Sequence, residues 1–268
     1  MIKNPDMLKF IHLTDCHIVK DGGAVYGQQP AGRLRAAIDS INSEHHDADF
    51  VVITGDLTHH GDDAAYEIFA RELRRLSIPS HLLVGNHDDV RTFRFHFPEA
   101  QRCDCGFIQG SKRTPFGLCL FLDTSQRGSD VGRYCEERQG WLKGVLSETS
   151  GPVMLFMHHP PFAIGLPDMD ESRLEDAEAF WQILRLHRHR VRHIFVGHAH
   201  RMVYGNWRGL PVSCMRGLNH QVALEMTSSP KGQYGNFEAP AYGVVLANEE
   251  QIMVHMHDFM DRSDRFIF

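Results

Sequence analysis

Residues 50–57 read Phe-Val-Val-Ile-Thr-Gly-Asp-Leu. Five consecutive apolar, aromatic or β-branched residues with no polar alternation describe a strand buried on both faces. Gly55 then permits a tight backbone turn, which leaves Asp56 at the carboxyl end of that strand. The same grammar recurs four times. Residues 10–14 run into Asp15-Cys16-His17, and residues 82–84 into Gly85-Asn86-His87-Asp88. Residues 153–157 run into His158-His159-Pro160-Pro161, and residues 194–196 into Gly197-His198-Ala199-His200. In a layered α/β sheet, loops at strand ends converge on one edge, so five polar motifs of this kind point to one site.

The segments between the motifs have helical period. Residues 31–46 carry Leu34, Ala37, Ile38 and Ile41 on one stripe. Residues 62–76 carry Ala65, Ile68, Phe69 and Leu73, with Asp62 as the expected N-cap. Residues 136–146 and 174–186 predict two further helices, with Trp141, Phe180 and Trp181 as core. Strands are expected at 81–84, 117–123 and 193–196. After Gly205 the texture changes to short strands and turns, with turns at 206–209 and 248–250. This tail predicts an antiparallel sheet, and residues 226–240, rich in Gly, Pro and Ser, predict a long surface loop. The expected architecture is α/β, a single domain over 1–268 with a core at about 8–200 and C-terminal strands at about 201–260.

The bulk numbers exclude several classes. The chain has 268 residues, a formal net charge of −6 and 42% hydrophobic residues. An acidic balance argues against a general nucleic-acid binder, which carries a basic surface, and leaves no polybasic segment for anionic lipid. No apolar stretch reaches 18 residues, so no membrane span is expected. Residues 1–9 lack an apolar leader segment. Six cysteines without zinc-type paired spacing read as reduced thiols of a cytoplasmic protein.

The outlier is histidine, at 19 residues. Imidazole is the commonest transition-metal ligand near neutral pH. Carboxylate, amide and imidazole donors together suit Fe, Mn, Co or Zn better than Mg or Ca, and the absence of Cys disfavours a structural zinc. A shared carboxylate is what a two-metal site needs to hold two cations about 3.5–4 Å apart. Any one of the motifs has a bland reading as an ordinary turn. All five at strand ends do not.

In these motifs the chain resembles the calcineurin-like metallophosphoesterase superfamily, whose pattern is Asp-x-His, Gly-Asp, Gly-Asn-His-Asp/Glu, His and Gly-His-x-His. Within it, Gly55-Asp56-Leu57, Gly85-Asn86-His87-Asp88-Asp89, His158-His159-Pro160-Pro161 and Gly197-His198 are similar to bacterial class III cyclic-nucleotide phosphodiesterases and related glycerophosphodiesterases. The resemblance covers about residues 8–200. It implies a four-layer α/β/β/α sandwich of mixed sheets flanked by helices. It implies that Asp15, His17 and His200 bind one metal, that Asn86, His158 and His198 bind a second, and that Asp56 bridges them. It implies that His87 is not a ligand but faces the phosphate and assists the leaving group. The expected cofactors are two divalent or mixed-valence ions of Mn, Fe, Zn or Co. The expected activity is hydrolysis of a small-molecule phosphodiester, a cyclic nucleotide such as cAMP or a glycerophosphodiester, by a metal-bridging hydroxide. Relatives often dimerise, so the resemblance leaves a homo-oligomer open.

Other members are set apart by residues. Purple acid phosphatases place Tyr three positions after the bridging Asp, where this chain has His59. Ser/Thr protein phosphatases have Asp-Arg after Gly-Asp and Glu after Asn-His, where this chain has Thr58-His59 and Asp88. Lipid A-pathway pyrophosphatases replace the His of Asn-His by Arg, where this chain keeps His87. A phosphomonoesterase, a nuclease and a non-catalytic scaffold remain the alternatives. Among the other histidines, His12 is expected to point to a sheet face. His59, His60 and His220 are candidates to approach the pocket. His159 is expected as a supporting or packing residue. His45, His46, His187, His189 and His193 are expected at solvated helix ends or strand starts, and His255 and His257 in the tail strands. The loop 162–173, with Asp168, Asp170 and Glu171, reads equally as solvated or as a wall selecting the leaving group.

Overall fold

The computed structural model describes residues 6–20, 23–264 and 266–267. The leader reading of residues 1–9 therefore falls partly outside the described residues. The first half runs β1 (Leu8–Leu13), α1 (Pro30–Glu44), β2 (Phe50–Thr54), α2 (Asp63–Leu73), β3 (Ser80–Leu83), α3 (Val90–His96), β4 (Gly110–Thr114), β5 (Gly117–Leu122) and α4 (Glu136–Glu148). The second half runs β6 (Val153–Met157), α5 (Pro167–Glu171), α6 (Ala177–Leu184), β7 (Val191–Val196), β8 (Val203–Trp207), β9 (Leu210–Cys214), β10 (Gln221–Val222), β11 (Gly235–Asn236), β12 (Tyr242–Ala247) and β13 (Ile252–His257).

Two mixed sheets result. One has the order β13-β12-β1-β2-β3 and the other β4-β5-β6-β7-β9-β8. In the first, β1, β2 and β3 are parallel while β12 and β13 add antiparallel at the edge. In the second, β5, β6, β7 and β9 are parallel, edged by antiparallel β4 and β8.

Strand alternation sorts the core into three layers. Phe10, Phe50, Val52, Phe121, Phe156 and Phe195 face between the sheets. Phe10 stacks on Phe50, and its ring edge meets Phe156 and Phe195, with centroids 5.2–5.6 Å apart. The odd residues of β1 and β2, among them Ile11, Leu13, Val51 and Ile53, pack under Leu34, Ile38, Ile68 and Phe69 of α1 and α2. The opposite face of the second sheet packs under Leu142, Phe180 and Ile183 of α4 and α6. The arrangement is therefore helix, sheet, sheet, helix. Burying both faces of two sheets explains why the central strands read as unbroken apolar runs.

Several expectations need correction. Apart from the short β10–β11 pair, the tail does not form a separate antiparallel sheet. Its strands are divided, β12 and β13 joining the first sheet and β8 and β9 the second, with β9 parallel to β7. Residues 226–240 are not purely loop, because β11 pairs with β10. The segment Gly110–Thr114 is an edge strand with no buried residue, so it carries no apolar pattern to read. Asp62 stands at the N-cap position of α2 but makes no capping hydrogen bond, whereas Asp89 accepts from Thr92 N at the start of α3. His193 is buried, not solvated, with Nε2 2.8 Å from Ser213 Oγ. Cys103 and Cys105 form a disulfide, where reduced thiols were expected; Cys16, Cys119, Cys135 and Cys214 are free.

One buried charge ties the two helices over the first sheet. Glu72 of α2, 1% exposed, accepts two hydrogen bonds from Arg35 of α1 at 2.7 and 3.0 Å, and one from Arg75 at 3.1 Å. These guanidinium groups, Arg35 foremost, outweigh burial and hold the Glu72 carboxyl down to about 2. A carboxyl depressed on folding adds stability above its ordinary value, lost as pH falls through the folded value. Because the arginines are half-exposed and solvent-screened, Glu72→Gln is expected to cost about 1–2 kcal/mol at pH 7. In urea titrations the gap to the native chain should stay constant above about pH 5 and close towards pH 2. A gap that persists at pH 2 would contradict this.

Candidate metal centre

The carboxyl ends of β1, β2, β6 and β7, and the turn after β3, deliver all seven predicted donors to one place. Their backbones are bent to do so. Among the described residues, seven non-glycine positions have positive φ, and five are predicted donors: Asp15 (55°), His17 (49°), Asp56 (50°), His198 (66°) and His200 (47°). A left-handed conformation costs about 1–2 kcal/mol for an L-residue. Such conformations persist only where surroundings over-determine them, and they gather at functional sites.

The surroundings here are a ladder of loop hydrogen bonds beyond the strand ends. Asp15 N donates to Gly55 O at 3.2 Å, His17 N to Asp56 O at 2.9 Å and Ile18 N to Leu57 O at 3.0 Å. Gly197 N donates to His158 O at 3.0 Å, joining β7 to β6. Asp88, which the sequence reading left without a role, clamps two of these loops. Its carboxylate accepts from Leu57 N, Thr58 N, Gly85 N and the Tyr66 hydroxyl at 2.8–3.1 Å.

The donors form two groups around one carboxylate. Asp56 Oδ2 is 3.5 Å from His17 Nε2 and 3.4 Å from His158 Nε2. On the first side, His17 Nε2 is 2.9 Å from His200 Nε2, and His200 Nε2 is 3.6 Å from Asp15 Oδ1. One donor atom from each of Asp15, His17, Asp56 and His200 falls within 4.8 Å of all the others. On the second side, Asn86 Oδ1 lies 3.1 Å from His158 Nε2 and 3.0 Å from His198 Nδ1. All these residues except Asn86 are buried.

The outward atoms of the rings are tied down. His158 Nδ1 donates to Thr54 O at 2.7 Å and His200 Nδ1 to His220 O at 2.9 Å. His198 Nε2 meets Ser172 Oγ at 2.8 Å, and His17 Nδ1 meets His59 Nδ1 at 3.0 Å. Asn86 Nδ2 donates to Asp130 Oδ1 at 3.3 Å, which turns its oxygen inward. Such partners fix the tautomer and ring orientation of ligating histidines.

The fit to cations follows from this inventory. With Nδ1–H given to a carbonyl, the Nε2 lone pairs of His158 and His200 point inward at oxygens that are themselves acceptors. Asp15 Oδ2 is buried with no hydrogen-bond partner. Acceptors converging without a proton or a cation repel one another, and a buried unpaired carboxylate oxygen costs free energy. Burial lowers His158, but the charge and hydrogen bond of Asp56, the charge of Asp15 and the bond to Thr54 O together outweigh it and push it up to about 9. Burial pushes His198 down to about 3 and holds His17 well below its ordinary value. Those rings are neutral and competent as ligands. The oxygen and imidazole set suits transition metals.

Close approach of the loops depends on glycine. A Cβ on Gly85 would fall 2.2 Å from Asp56 Oδ1 and 2.6 Å from Asp56 N, against atoms that cannot swing away.

The other sequence candidates are distributed as follows. His87 N donates to Asp56 Oδ1 at 2.9 Å, and its ring stacks on His59 with centroids 4.9 Å apart. His220 packs on His200 at 4.2 Å and so reaches the site. His159 supports from beneath, bonded to Thr124 Oγ1 at 2.8 Å. His12 is buried between the sheets against Thr54 Oγ1. The loop 162–173 enters through Ser172 alone among the donors' direct partners given above. The sequence reading missed Ser172, Asp130 and Asp88. Only Asp88 had a visible signal, its place within Gly-Asn-His-Asp.

Fold and donor set together define a metallophosphoesterase. Residues 8–202 match the family described as calcineurin-like phosphoesterase, and the chain belongs to that family. It is 39% identical over 258 residues to a probable cyclic nucleotide phosphodiesterase of Rhodopseudomonas palustris, covering 94% of this chain and 93% of that one. It is 28% identical to a probable glycerophosphodiester phosphodiesterase of Arcobacter nitrofigilis, covering 90% and 89%. Among solved structures, a dimetal phosphatase of Danio rerio superposes with a TM-score of 0.67 at 17% identity, covering 94% of this chain and 99% of that one. That likeness concerns the fold. No helix among the described residues is long and apolar enough to cross a membrane.

Gly85→Ala is expected to destabilise the fold by about 1–3 kcal/mol, the usual cost of overpacking. It should also reduce bound manganese, measured by elemental analysis after gel filtration. Full occupancy with unchanged urea stability would show that the turn after β3 tolerates a Cβ.

Proposed function

We propose that this chain is a binuclear metal-dependent phosphodiesterase acting on a small phosphodiester, a cyclic nucleotide or a glycerophosphodiester. The observation that carries the reading is the Asp56 carboxylate, shared between His17 and His158 at 3.5 and 3.4 Å. One carboxylate between two imidazole-bearing donor groups is the arrangement a pair of cations requires. Asp15, His17 and His200 would hold the first ion, Asn86, His158 and His198 the second, and Asp56 both. Mn, Fe, Zn and Co suit these donors. The names of the relatives favour a diester substrate. The pairing of β12 onto β1 supports reading residues 1–268 as one domain.

When bound, the cation pair supplies Lewis acidity to the phosphoryl oxygens and lowers the pKa of water. The residues of the chain do the positioning. Asp56 Oδ1 is held by His87 N, which leaves Oδ2 as the shared atom. His87 Nδ1 donates to His59 O at 2.9 Å, so Nε2 is the atom left to serve the leaving oxygen. In the imidazolium form that nitrogen donates its proton as the ester P–O bond breaks, and the alkoxide departs as an alcohol.

His87→Ala is expected to lower kcat by about 10²–10⁴-fold with metal content intact. Asn86→Ala should lose both metal and rate. Equal kcat in the first variant would remove the acid role. The substrate reading is tested by comparing kcat/KM of the manganese-loaded chain on 3′,5′-cAMP, 2′,3′-cAMP, glycerophosphocholine and a phosphomonoester. Preference for the monoester would overturn the diester assignment. Absence of both bound metal and hydrolysis would favour a scaffold.

A further inference from the structure

A cavity of about 490 Å³ opens beside Asn86 and His87, walled by the start of α3 and by the loop that follows β5. Three arginines line it: Arg91, Arg94 and Arg127. Among the described residues, none of their guanidinium groups makes a hydrogen bond or an ion pair. Arg94 Nε is buried with no partner, and Gln126 Oε1, on the same wall, is likewise buried and unpartnered.

Among the described residues, exposed arginines such as Arg74 and Arg113 also stand unpaired, but six arginines elsewhere in the fold are matched by carboxylates. Arg35, Arg75, Arg138, Arg201, Arg208 and Arg216 each have a carboxylate within 4 Å. Two carboxylates also line the cavity, but both are already engaged. Asp88 takes the four donors of the loop clamp, and Asp89 Oδ1 takes Thr92 N and Thr92 Oγ1. The Thr92 bonds foremost, with the Arg127 charge behind them, lower the Asp89 carboxyl, yet no ion pair between Arg127 and Asp89 forms. In a chain of net charge −6, three unpaired cations around one opening are a local reversal of sign. A buried guanidinium nitrogen without an acceptor is destabilising unless something supplies one. Guanidinium groups match the oxygens of phosphate and carboxylate in charge and in fork geometry.

We propose that this cavity is a subsite for a second anionic group, a phosphate or carboxylate carried on the leaving-group side of the substrate. The inference rests on the phosphodiesterase reading, which places His87 next to the leaving oxygen. The enzyme then acts on diesters whose released alcohol bears its own negative charge. Exposed Arg91 and Arg127 pair with that charge at the opening, and the buried Arg94 Nε adds a donor behind them.

The test compares three diesters on the manganese-loaded chain at low ionic strength: glycerophosphoglycerol, its terminal phosphate ester, and the analogue ending in a carboxylate. At least one charged substrate should exceed the uncharged one in kcat/KM by about tenfold, the worth of one charge-assisted pair. Which of the two does so identifies the anion. In Arg91→Gln/Arg127→Gln the ratio should fall to about one, and salt should erase it in the native chain. An absent preference, or one the variant keeps, overturns the proposal. So would a preference for 3′,5′-cAMP over all three that the variant abolishes, since that would assign the cavity to a nucleobase. If no diester is hydrolysed, the enzyme reading fails, and the subsite is judged by calorimetry with glycerol 3-phosphate on the chelator-treated chain. Binding weakened about tenfold in the double variant sustains it. Absent binding, or equal binding in both chains, refutes it.

Discussion

The structure turns on one carboxylate. Asp56 is almost fully buried, its backbone lies in the left-handed region, and its oxygens are divided between His87 N on one side and the rings of His17 and His158 on the other. A charge in that position is tolerable only if positive charge answers it. The two sheets, the loop ladder and Gly85 bring that answer within reach. The loops cannot be relaxed independently, because each is bonded to the next: β1 to β2 through Asp15 and His17, β7 to β6 through Gly197, and the β3 turn to the β2 turn through Asp88.

The aromatic layer between the sheets serves the same end. Phe10, Phe50, Phe156 and Phe195 fix the distance between β1–β2 and β6–β7. Asp15, His17 and Asp56 belong to the first sheet, and His158, His198 and His200 to the second. How closely donors from one sheet approach those from the other is therefore set by ring packing, which is dense and resists small displacements. This is how a hydrophobic core governs a polar centre that it does not touch.

Much of this was legible in the sequence. Central strands such as Phe50–Thr54 and Val153–Met157 announce themselves, since burial on both faces demands unbroken apolar runs. The donors were legible because each follows such a run. What stayed hidden has physical reasons. The strand Gly110–Thr114 lies at an edge and buries nothing, so it has no pattern. That β9 runs parallel to β7 while β12 crosses to the other sheet depends on long-range pairing, which local texture does not record. Ser172 and Asp130 owe their meaning to neighbours 26 and 44 positions away, and the three cavity arginines to having no partner among the described residues. The disulfide between Cys103 and Cys105 was likewise invisible to spacing rules built on paired motifs.

The crossing of β12 to the edge of the first sheet has a further bearing, on the order in which the polymer is made. The amino-terminal strand β1, which leads into Asp15 and His17, is flanked by β2 on one side and by residues 242–247 on the other. Until residues 242–247 have been made, β1 keeps one open edge of unpaired amides and carbonyls, and that edge is available to other strands. The strand that leads into Asp15 and His17 is thus closed in only after a segment far downstream has been made, which ties maturation of the centre to late synthesis.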